Sequence, residues 1–199
     1  MKALLLNGPG KPFSIETIED PTPQKGYAVA KVLACGSGLT IQHVKAGRIT
    51  VNYPRIIGHE IIGEIVEING KGGDLEIGTP VTAFFYLTCG HCRWCNIDRE
   101  TLCNNFKGYI GREIDGGYAE YIKLPIENFI KIPEEIDYKN NLLETAVVCD
   151  AVATPLKIIK KAKISSFDKV GVIGAGGGLG IHMLKMLKLN NISAIGIDT

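Results

Sequence analysis

The sequence predicts a globular protein of one or two domains with an α/β unit near its C-terminus, and three observations support this. Apolar residues make up 45% of the 199 residues and charged residues 22%, which is typical of a folded protein with a hydrophobic core. A strand, a glycine-rich turn, a helix and a second strand follow one another over residues 168–199. Four cysteines lie within residues 89–103.

Charge and the N-terminal segment exclude several classes of protein. Lys and Arg number 22 against 21 Asp and Glu, and no basic segment is interleaved with aromatic residues, so nucleic acid is not an expected partner. The N-terminal MKALLLNGPGKPFSI has a short apolar run that Pro9 and Pro12 interrupt, which predicts a first β-strand instead of a signal peptide. We therefore expect a cytoplasmic protein with no membrane partner.

The segment CGHCRWCNIDRETLC, residues 89–103, predicts a structural zinc site. The chain has six cysteines and no export signal, so its cysteines are expected to be thiols or metal ligands. Four thiolates close a tetrahedron around one Zn²⁺ and leave no position open for substrate, so such a site stabilises a loop. Four free thiols and an iron–sulfur cluster are the alternatives. The predicted ligands are Cys89, Cys92, Cys95 and Cys103.

Residues 168–199 predict the first half of a Rossmann nucleotide-binding domain. Residues 170–173 and 192–197 are apolar and predict two strands, and the apolar side chains between them recur at helical spacing, at Ile181, Leu184 and Leu187. Glycines in the turn let the backbone approach a pyrophosphate at the helix N-terminus, where unpaired N–H groups favour anions. The alternative is a tight turn without a ligand. The glycines assigned to cofactor binding are Gly174, Gly176, Gly177, Gly178 and Gly180.

Asp198 predicts which cofactor binds. It follows Gly178 by 20 residues and stands at the end of the second strand, where a carboxylate accepts hydrogen bonds from the adenosine ribose. A 2′-phosphate would be repelled, so we expect NAD and not NADP. A doubly wound nucleotide fold needs about six strands. Two are present before Thr199, so we expect either a fragment or a naturally short protein.

Four motifs together resemble the zinc-containing alcohol dehydrogenases of the medium-chain dehydrogenase/reductase superfamily. They are GHE at 58–60, the four-cysteine segment, GGYAEY at 116–121 and the glycine turn. The resemblance runs over the whole chain and implies a β-rich, GroES-like catalytic domain over residues 1–151. It implies a Rossmann domain that begins at residue 152, and NAD(P)-linked hydride transfer. Phe85 matches an aromatic pocket residue of the family, so we expect a small apolar alcohol or aldehyde substrate. We also expect a homo-oligomer.

The resemblance implies three ligands for a catalytic zinc. The family uses a cysteine from a C-x-T-D-x-x-H loop, the His and sometimes the Glu of GHE, and a later Cys or Asp. His59 and Glu60 match GHE. Cys149 and Asp150 compete for the later position, and the family places a cofactor-contacting Thr four residues after this ligand. Thr154 therefore favours Asp150 and is itself assigned to the cofactor.

The loop LACGSGLTIQHVKAG, residues 33–47, departs from the family pattern. Thr40 and His43 match the hydroxyl and the imidazole of the family's proton relay. In that register Gly38 stands where the family has its ligand cysteine, and Ile41 stands where it has aspartate. Either His59, Glu60 and Asp150 hold the ion without a further ligand, or Cys35 shifts to become a ligand. A site without the thiolate should be weaker and more tolerant of other metals that prefer oxygen and nitrogen.

Three functions follow from these motifs. The first is an alcohol or aldehyde oxidoreductase with an altered metal site, in which zinc polarises the substrate oxygen and the relay carries the alcohol proton to solvent. The second is a zinc-independent reductase of an activated double bond or a quinone, from the same superfamily. The third is a catalytically silent, truncated chain that folds around its structural zinc.

Overall fold

The computed structural model describes residues 1–199, which divide into two units, Met1–Ala146 and Val147–Thr199. Residues 151 and 152, between which the sequence predicts the boundary, lie in a short π-helix of the second unit, Val148–Val152. None of the helices combines the length and the apolar character that crossing a membrane requires.

The first unit is β-rich, as the resemblance implies. Its two short helices are α1, Leu39–Lys45, and α2, Leu142–Ala146. Its strands are β1 Lys2–Leu6, β2 Phe13–Thr17, β3 Tyr27–Cys35, β4 Arg55–Ile56, β5 Ile61–Asn69, β6 Pro80–Ala83, β7 Tyr86–Leu87, β8 Gly108–Tyr109, β9 Tyr121–Pro125 and β10 Phe129–Lys131.

An antiparallel five-stranded sheet, in the order β10-β6-β5-β3-β9, carries the main core of the first unit. Strand β9 shows why these segments form strands, because its buried residues Ile122 and Leu124 alternate with partly exposed ones. Buried aliphatic residues from β3, β5 and β6 complete this core, among them Ala30, Ile65 and Val81.

A smaller sheet, in the order β2-β1-β4, has its own hydrophobic cluster and receives α1. The helix buries Ile41 and Val44, at spacing i and i+3, against Leu6 and Ile57. Ile41 is 3% exposed, so the residue that replaces the family's aspartate contributes to packing. This helix fixes the position of the loop that precedes it.

The second unit contains the strand, helix and strand that the sequence predicts. They are β11 Lys169–Ile173, α4 Gly178–Leu189 and β12 Ser193–Ile197, and a further helix, α3, spans Ala153–Ala162. Strands β11 and β12 pair in parallel, with Lys169 opposite Ser193 and Ile173 opposite Ile197. Parallel neighbours joined by a helix form the βαβ element of a nucleotide-binding fold, which confirms the predicted start of a Rossmann domain.

Candidate metal and nucleotide sites

The four predicted thiols of residues 89–103, here called the cysteine lobe, converge on one point. Their Sγ atoms all lie within 4.8 Å of one another. The Sγ atom of Cys92 is 3.5 Å from that of Cys95, and Cys103 Sγ is 3.5 Å from Cys89 Sγ. Four sulfurs bound to one Zn²⁺ at about 2.3 Å would be roughly 3.8 Å apart, so the observed spacing fits a tetrahedral Zn²⁺.

Strands β7 and β8 hold the ends of the cysteine lobe together. Tyr86 pairs with Tyr109 and Leu87 with Gly108, so the chain leaves and re-enters the domain at the same place. Across the lobe itself, the backbone N–H of Cys89 donates a hydrogen bond of 3.3 Å to Cys103 Sγ. A short two-stranded ladder therefore brings the first and last thiols of the lobe close together.

The thiols of the cysteine lobe differ in their readiness to ionise. A backbone hydrogen bond from His91 lowers the pKa of the Cys89 thiol to about 6. Burial, followed by hydrogen bonds to neighbouring thiols, raises the pKa of the Cys95 thiol to about 11. Cys89 therefore loses its proton more readily than Cys95, whose ionisation the charge of a bound cation would favour.

His59 and Glu60 lie immediately before strand β5, at the edge of the main core. Glu60 is 5% exposed, and its backbone carbonyl accepts a hydrogen bond of 2.7 Å from the N–H of Gly36, at the end of β3. The ring of Phe85 packs on His59, with 5.0 Å between the ring centroids. A buried carboxylate next to a partly buried imidazole is a donor pair suited to a divalent metal.

Gly38 lies beside Glu60. It is the N-cap residue of α1, and its φ of −88° and ψ of −176° are extended backbone that any residue adopts. A Cβ built on Gly38 would lie 3.8 Å from Glu60 Oε2, with no heavy atom nearer. Position 38 therefore faces the carboxylate, and neither backbone conformation nor crowding requires glycine there.

Thr40 and His43 lie on α1, three residues apart and hence on one face of the helix. Both are half-buried. His43 Nδ1 is 3.3 Å from Nη1 of Arg48. Because a guanidinium only donates, Nδ1 must accept this bond, which leaves the proton of a neutral imidazole on Nε2.

The segment 116–121 supports the GHE turn and contains a residue whose role sequence analysis missed. The N–H of Gly117 donates to the carbonyl of Gly58 at 2.9 Å. The hydroxyl of Tyr118 donates to the carbonyl of Gly36 at 3.2 Å, and burial raises its pKa. Tyr118 thus ties the loop before α1 to the GHE turn. Its presence in the GGYAEY motif was the available signal.

Cys35, the alternative metal ligand, lies at the end of β3 and packs against the main core. Its Sγ lies close to the backbone of Gly58 and Gly117, where an added Cβ would come within 2.7 Å and 3.1 Å of the sulfur. The Cys35 thiol is therefore packed against the backbone of the GHE turn and of the segment 116–121.

Asp150 and Thr154 belong to the second unit and contact each other. Asp150 lies in the π-helix Val148–Val152, and Thr154 lies in the first turn of α3. The Thr154 hydroxyl donates a hydrogen bond of 2.9 Å to Asp150 Oδ1. π-helical turns are rare and frequently occur at functional sites. Cys149, the competing candidate, is half-buried in the same π-helix.

Two of the predicted positions in the glycine loop between β11 and α4 require glycine, one for its backbone conformation and one for close packing. Gly174 has a φ of +74°, in the left-handed region that favours glycine. A Cβ on Gly180 would lie 2.2 Å from the carbonyl oxygen of Gly174, so the helix can approach the loop only without a side chain there. Gly177 is the N-cap residue of α4, and a Cβ on Gly178 would meet no atom within 4 Å.

Asp198 closes the glycine loop at the end of β12. Its Oδ2 accepts a hydrogen bond from the N–H of Gly176, and its Oδ1 accepts one of 2.8 Å from the N–H of Thr199. The bond from Gly176 and then that from Thr199 lower the pKa of the Asp198 carboxyl. The carboxylate is therefore an anion at neutral pH, next to the loop that the sequence assigns to pyrophosphate.

Comparison with known proteins extends these observations. Residues 24–134 match the family model described as "Alcohol dehydrogenase GroES-like domain". The chain is 33% identical to an alcohol dehydrogenase of Geobacillus stearothermophilus, and 30% identical to an acryloyl-coenzyme A reductase of Sulfurisphaera tokodaii. All of the chain aligns in both cases, with 58% and 59% of those proteins respectively, so it spans well under two thirds of their length.

A solved structure is similar over nearly the whole chain. It is the cobalt- and zinc-bound thermostable alcohol dehydrogenase from Pyrobaculum aerophilum, which matches with a TM-score of 0.88 at 30% identity. The match covers 98% of this chain and 59% of that one.

Proposed function

Because this chain belongs to the family with an alcohol dehydrogenase GroES-like domain, we propose that it supplies the metal-binding and first nucleotide-binding elements of an oxidoreductase. The reaction is hydride transfer between an alcohol or carbonyl substrate and NAD(P). The relatives named above are oxidoreductases of two kinds, one acting on alcohols and one on an acryloyl thioester.

The observation that carries the proposal is the position of Glu60 beside residue 38. Glu60 is 5% exposed and offers a carboxylate, a group that binds divalent metals. His59 adjoins it in sequence, and a Cβ built on Gly38, where the resemblance places a ligand, would lie 3.8 Å from Glu60 Oε2. We assign His59 and Glu60 to a divalent metal, and Asp150, which the resemblance implies as a further ligand, stays a prediction.

The residues of the site have separate roles in this reaction. A bound divalent metal supplies Lewis-acid polarisation of the substrate oxygen. Thr40 and His43 move the alcohol proton: His43 Nδ1 accepts it in place of the hydrogen bond from Arg48, and Nε2–H passes a proton to solvent. Phe85 presents an aromatic ring next to His59, which favours a substrate with an apolar group.

The nucleotide part of the proposal rests on the second unit. The open space at Gly178, at the first residue of α4, accommodates a pyrophosphate close to the helix N-terminus. Asp198 is held beside Gly176 as an anion and would repel a 2′-phosphate. We therefore propose NAD as the preferred cofactor.

The cysteine lobe binds one structural zinc in this proposal. Its four sulfurs already have the spacing of a tetrahedral site, and two of the four thiols, Cys95 and Cys103, are buried. No coordination position remains for substrate, so the ion contributes to the fold and not to the reaction.

The first test combines metal content with turnover. Purified, desalted chain is assayed for zinc by elemental mass spectrometry, and for oxidation of primary and secondary alcohols with NAD⁺ and with NADP⁺. We expect a ratio near two zinc ions per chain and activity that a chelator abolishes. A ratio near one, together with no chelator-sensitive turnover, contradicts the metal-dependent assignment.

A metal-independent reduction of an activated double bond is the second candidate. Gly38 favours it, because the site lacks a side-chain donor at that position, and one relative is an acryloyl-coenzyme A reductase. The buried Glu60 disfavours it, since a hydrogen-bonding carbonyl site has no need of that carboxylate. Reduction of an acryloyl thioester by NADPH or NADH that persists in excess chelator would support this candidate over the first.

A further inference from the structure

Aromatic rings form a continuous set of contacts from the cysteine lobe to His59. Phe106 is three residues after Cys103, and its ring centroid lies 4.8 Å from that of Tyr109 and 5.9 Å from that of Tyr86. The Tyr86 ring is 4.8 Å from that of Phe85. Phe85 in turn lies 5.0 Å from His59, in a tilted arrangement with 56° between the ring planes.

The backbone on both sides of Phe85 is fixed by one buried side chain. Asn128 is 4% exposed, and its side-chain amide donates hydrogen bonds of 2.6 Å to the carbonyl of Phe84 and 2.9 Å to that of Tyr86. Tyr86 also pairs with Tyr109 in the β7–β8 ladder. The Phe85 ring is therefore placed by the same short ladder that holds the ends of the cysteine lobe.

The cysteine lobe adjoins this ladder at both ends. Cys89 is two residues after the end of β7, and β8 begins five residues after Cys103. These two thiols contact each other through the N–H of Cys89 and their two Sγ atoms. An ion that binds both would fix the spacing of the two ladder ends, because thiolate coordination and local folding are coupled.

We propose that metal binding in the cysteine lobe positions the imidazole of His59 through this aromatic contact set, with Phe85 as the positioning residue. The inference rests on the proposed role of His59 as a metal ligand. Metal-binding imidazoles are oriented by neighbouring groups, and losing such a neighbour weakens metal affinity or activity. Here the neighbour is a ring whose position depends on a second metal site. The structural ion would then change the position of a ligand in the first unit's other metal site without contacting that site.

The test follows the ring protons of His59 by NMR while the lobe is filled. Metal-free chain, residues 1–199, receives one equivalent of ¹¹³Cd²⁺, a soft ion that prefers the four thiolates. The cadmium chemical shift verifies that the ion is bound by sulfur. The ring signals are assigned with His59→Gln. We expect the His59 signals to shift and sharpen on cadmium binding, since the ring lies against Phe85, while the His182 signals of the second unit stay unchanged.

Variants separate positioning from general loss of structure. Phe106→Leu should still bind cadmium in the lobe but lose most of the shift at His59, and Phe106→Tyr should restore it. Phe85→Leu should remove the shift altogether. Phe167→Leu is the matched control, because Phe167 is 97% exposed in the second unit and should leave the His59 response intact.

Two outcomes would overturn the proposal. One is a filled lobe, verified by the cadmium signal, with no change at His59. The other is an unchanged His59 response in both Phe106→Leu and Phe85→Leu. Neither measurement needs turnover or a metal on His59, so a chain that shows the coupling but no activity would count against the proposed reaction and not against the contact between the lobe and His59.

Discussion

Replacing Gly38 by cysteine should increase the affinity of the first unit for zinc. The backbone at this position has φ −88° and ψ −176°, which cysteine adopts without strain. The nearest heavy atom to a Cβ built there is Glu60 Oε2 at 3.8 Å, an ordinary van der Waals distance. A thiol therefore fits without backbone movement and lies on the side of the loop where the carboxylate is.

The size of the gain follows from the free energy of zinc binding per ligand. Four-ligand structural sites bind zinc with about 10–16 kcal/mol, or roughly 2.5–4 kcal/mol for each ligand. At about 1.4 kcal/mol per tenfold change, one added thiolate is worth roughly two to three orders of magnitude in affinity. A catalytic site keeps one position for substrate or water, so we expect a gain near the lower end, about 100-fold.

The assay is competition against a chromophoric chelator, with the cysteine lobe already filled in every sample. Gly38→Ser adds a side chain of similar size without a thiolate, and Ser37→Cys places a thiol on the exposed neighbouring residue. Only Gly38→Cys should show the large gain. A folded Gly38→Cys variant with unchanged zinc affinity, or an equal gain in Ser37→Cys, would contradict the prediction that a thiolate at position 38 binds the metal.

Further predictions concern the cysteine lobe and the nucleotide loop. Cys95→Ser should lower zinc content by one ion per chain, measured by elemental analysis, and should lower the thermal unfolding temperature, because a buried ligand is lost. Gly180→Ala should destabilise the second unit by about 1–3 kcal/mol in denaturant titrations, since its Cβ would lie 2.2 Å from a loop carbonyl. Gly178→Ala should instead add about 0.5–1 kcal/mol of stability but weaken NADH binding, because its open space is where we place the pyrophosphate. Asp198→Asn should reduce the preference for NADH over NADPH in fluorescence titrations. The backbone hydrogen bond from Gly176 lowers the pKa of the Asp198 carboxyl. The carboxylate's contribution to the stability of the second unit should therefore be fully present above the ordinary carboxyl pKa, and be lost as pH falls through the lowered pKa.

Local patterns in the sequence were sufficient for the second unit and the cysteine lobe. The strand, helix and strand of residues 169–197 and the four thiols depend on contacts between residues near in sequence. Helical spacing predicted α4 but not which apolar side chains it buries. Leu187 is 0% exposed, whereas Ile181, six residues earlier on the same helix, is 42% exposed.

Contacts that join distant segments could not be predicted in the same way. Tyr118 reaches Gly36 across 82 residues, and the Phe85 ring, between β6 and β7, meets His59, which precedes β5. Such pairs depend on strand order and register, which no local periodicity encodes. The orientation of His43 by Arg48 was also missed, because five residues of separation at the end of a short helix predict no particular contact.

The structure separates glycines that the backbone requires from those that it does not. Gly174 needs its positive φ, and Gly180 needs to lack a side chain for close packing. Gly178 and Gly38 have neither requirement, since a side chain at either position would meet ordinary or open space. For Gly178 a bound pyrophosphate gives a physical reason. For Gly38 packing gives no such reason. The glycine therefore matters chemically, because position 38, beside Glu60, lacks a metal-binding side chain. The loop retains its conformation, so one substitution should suffice to supply that side chain.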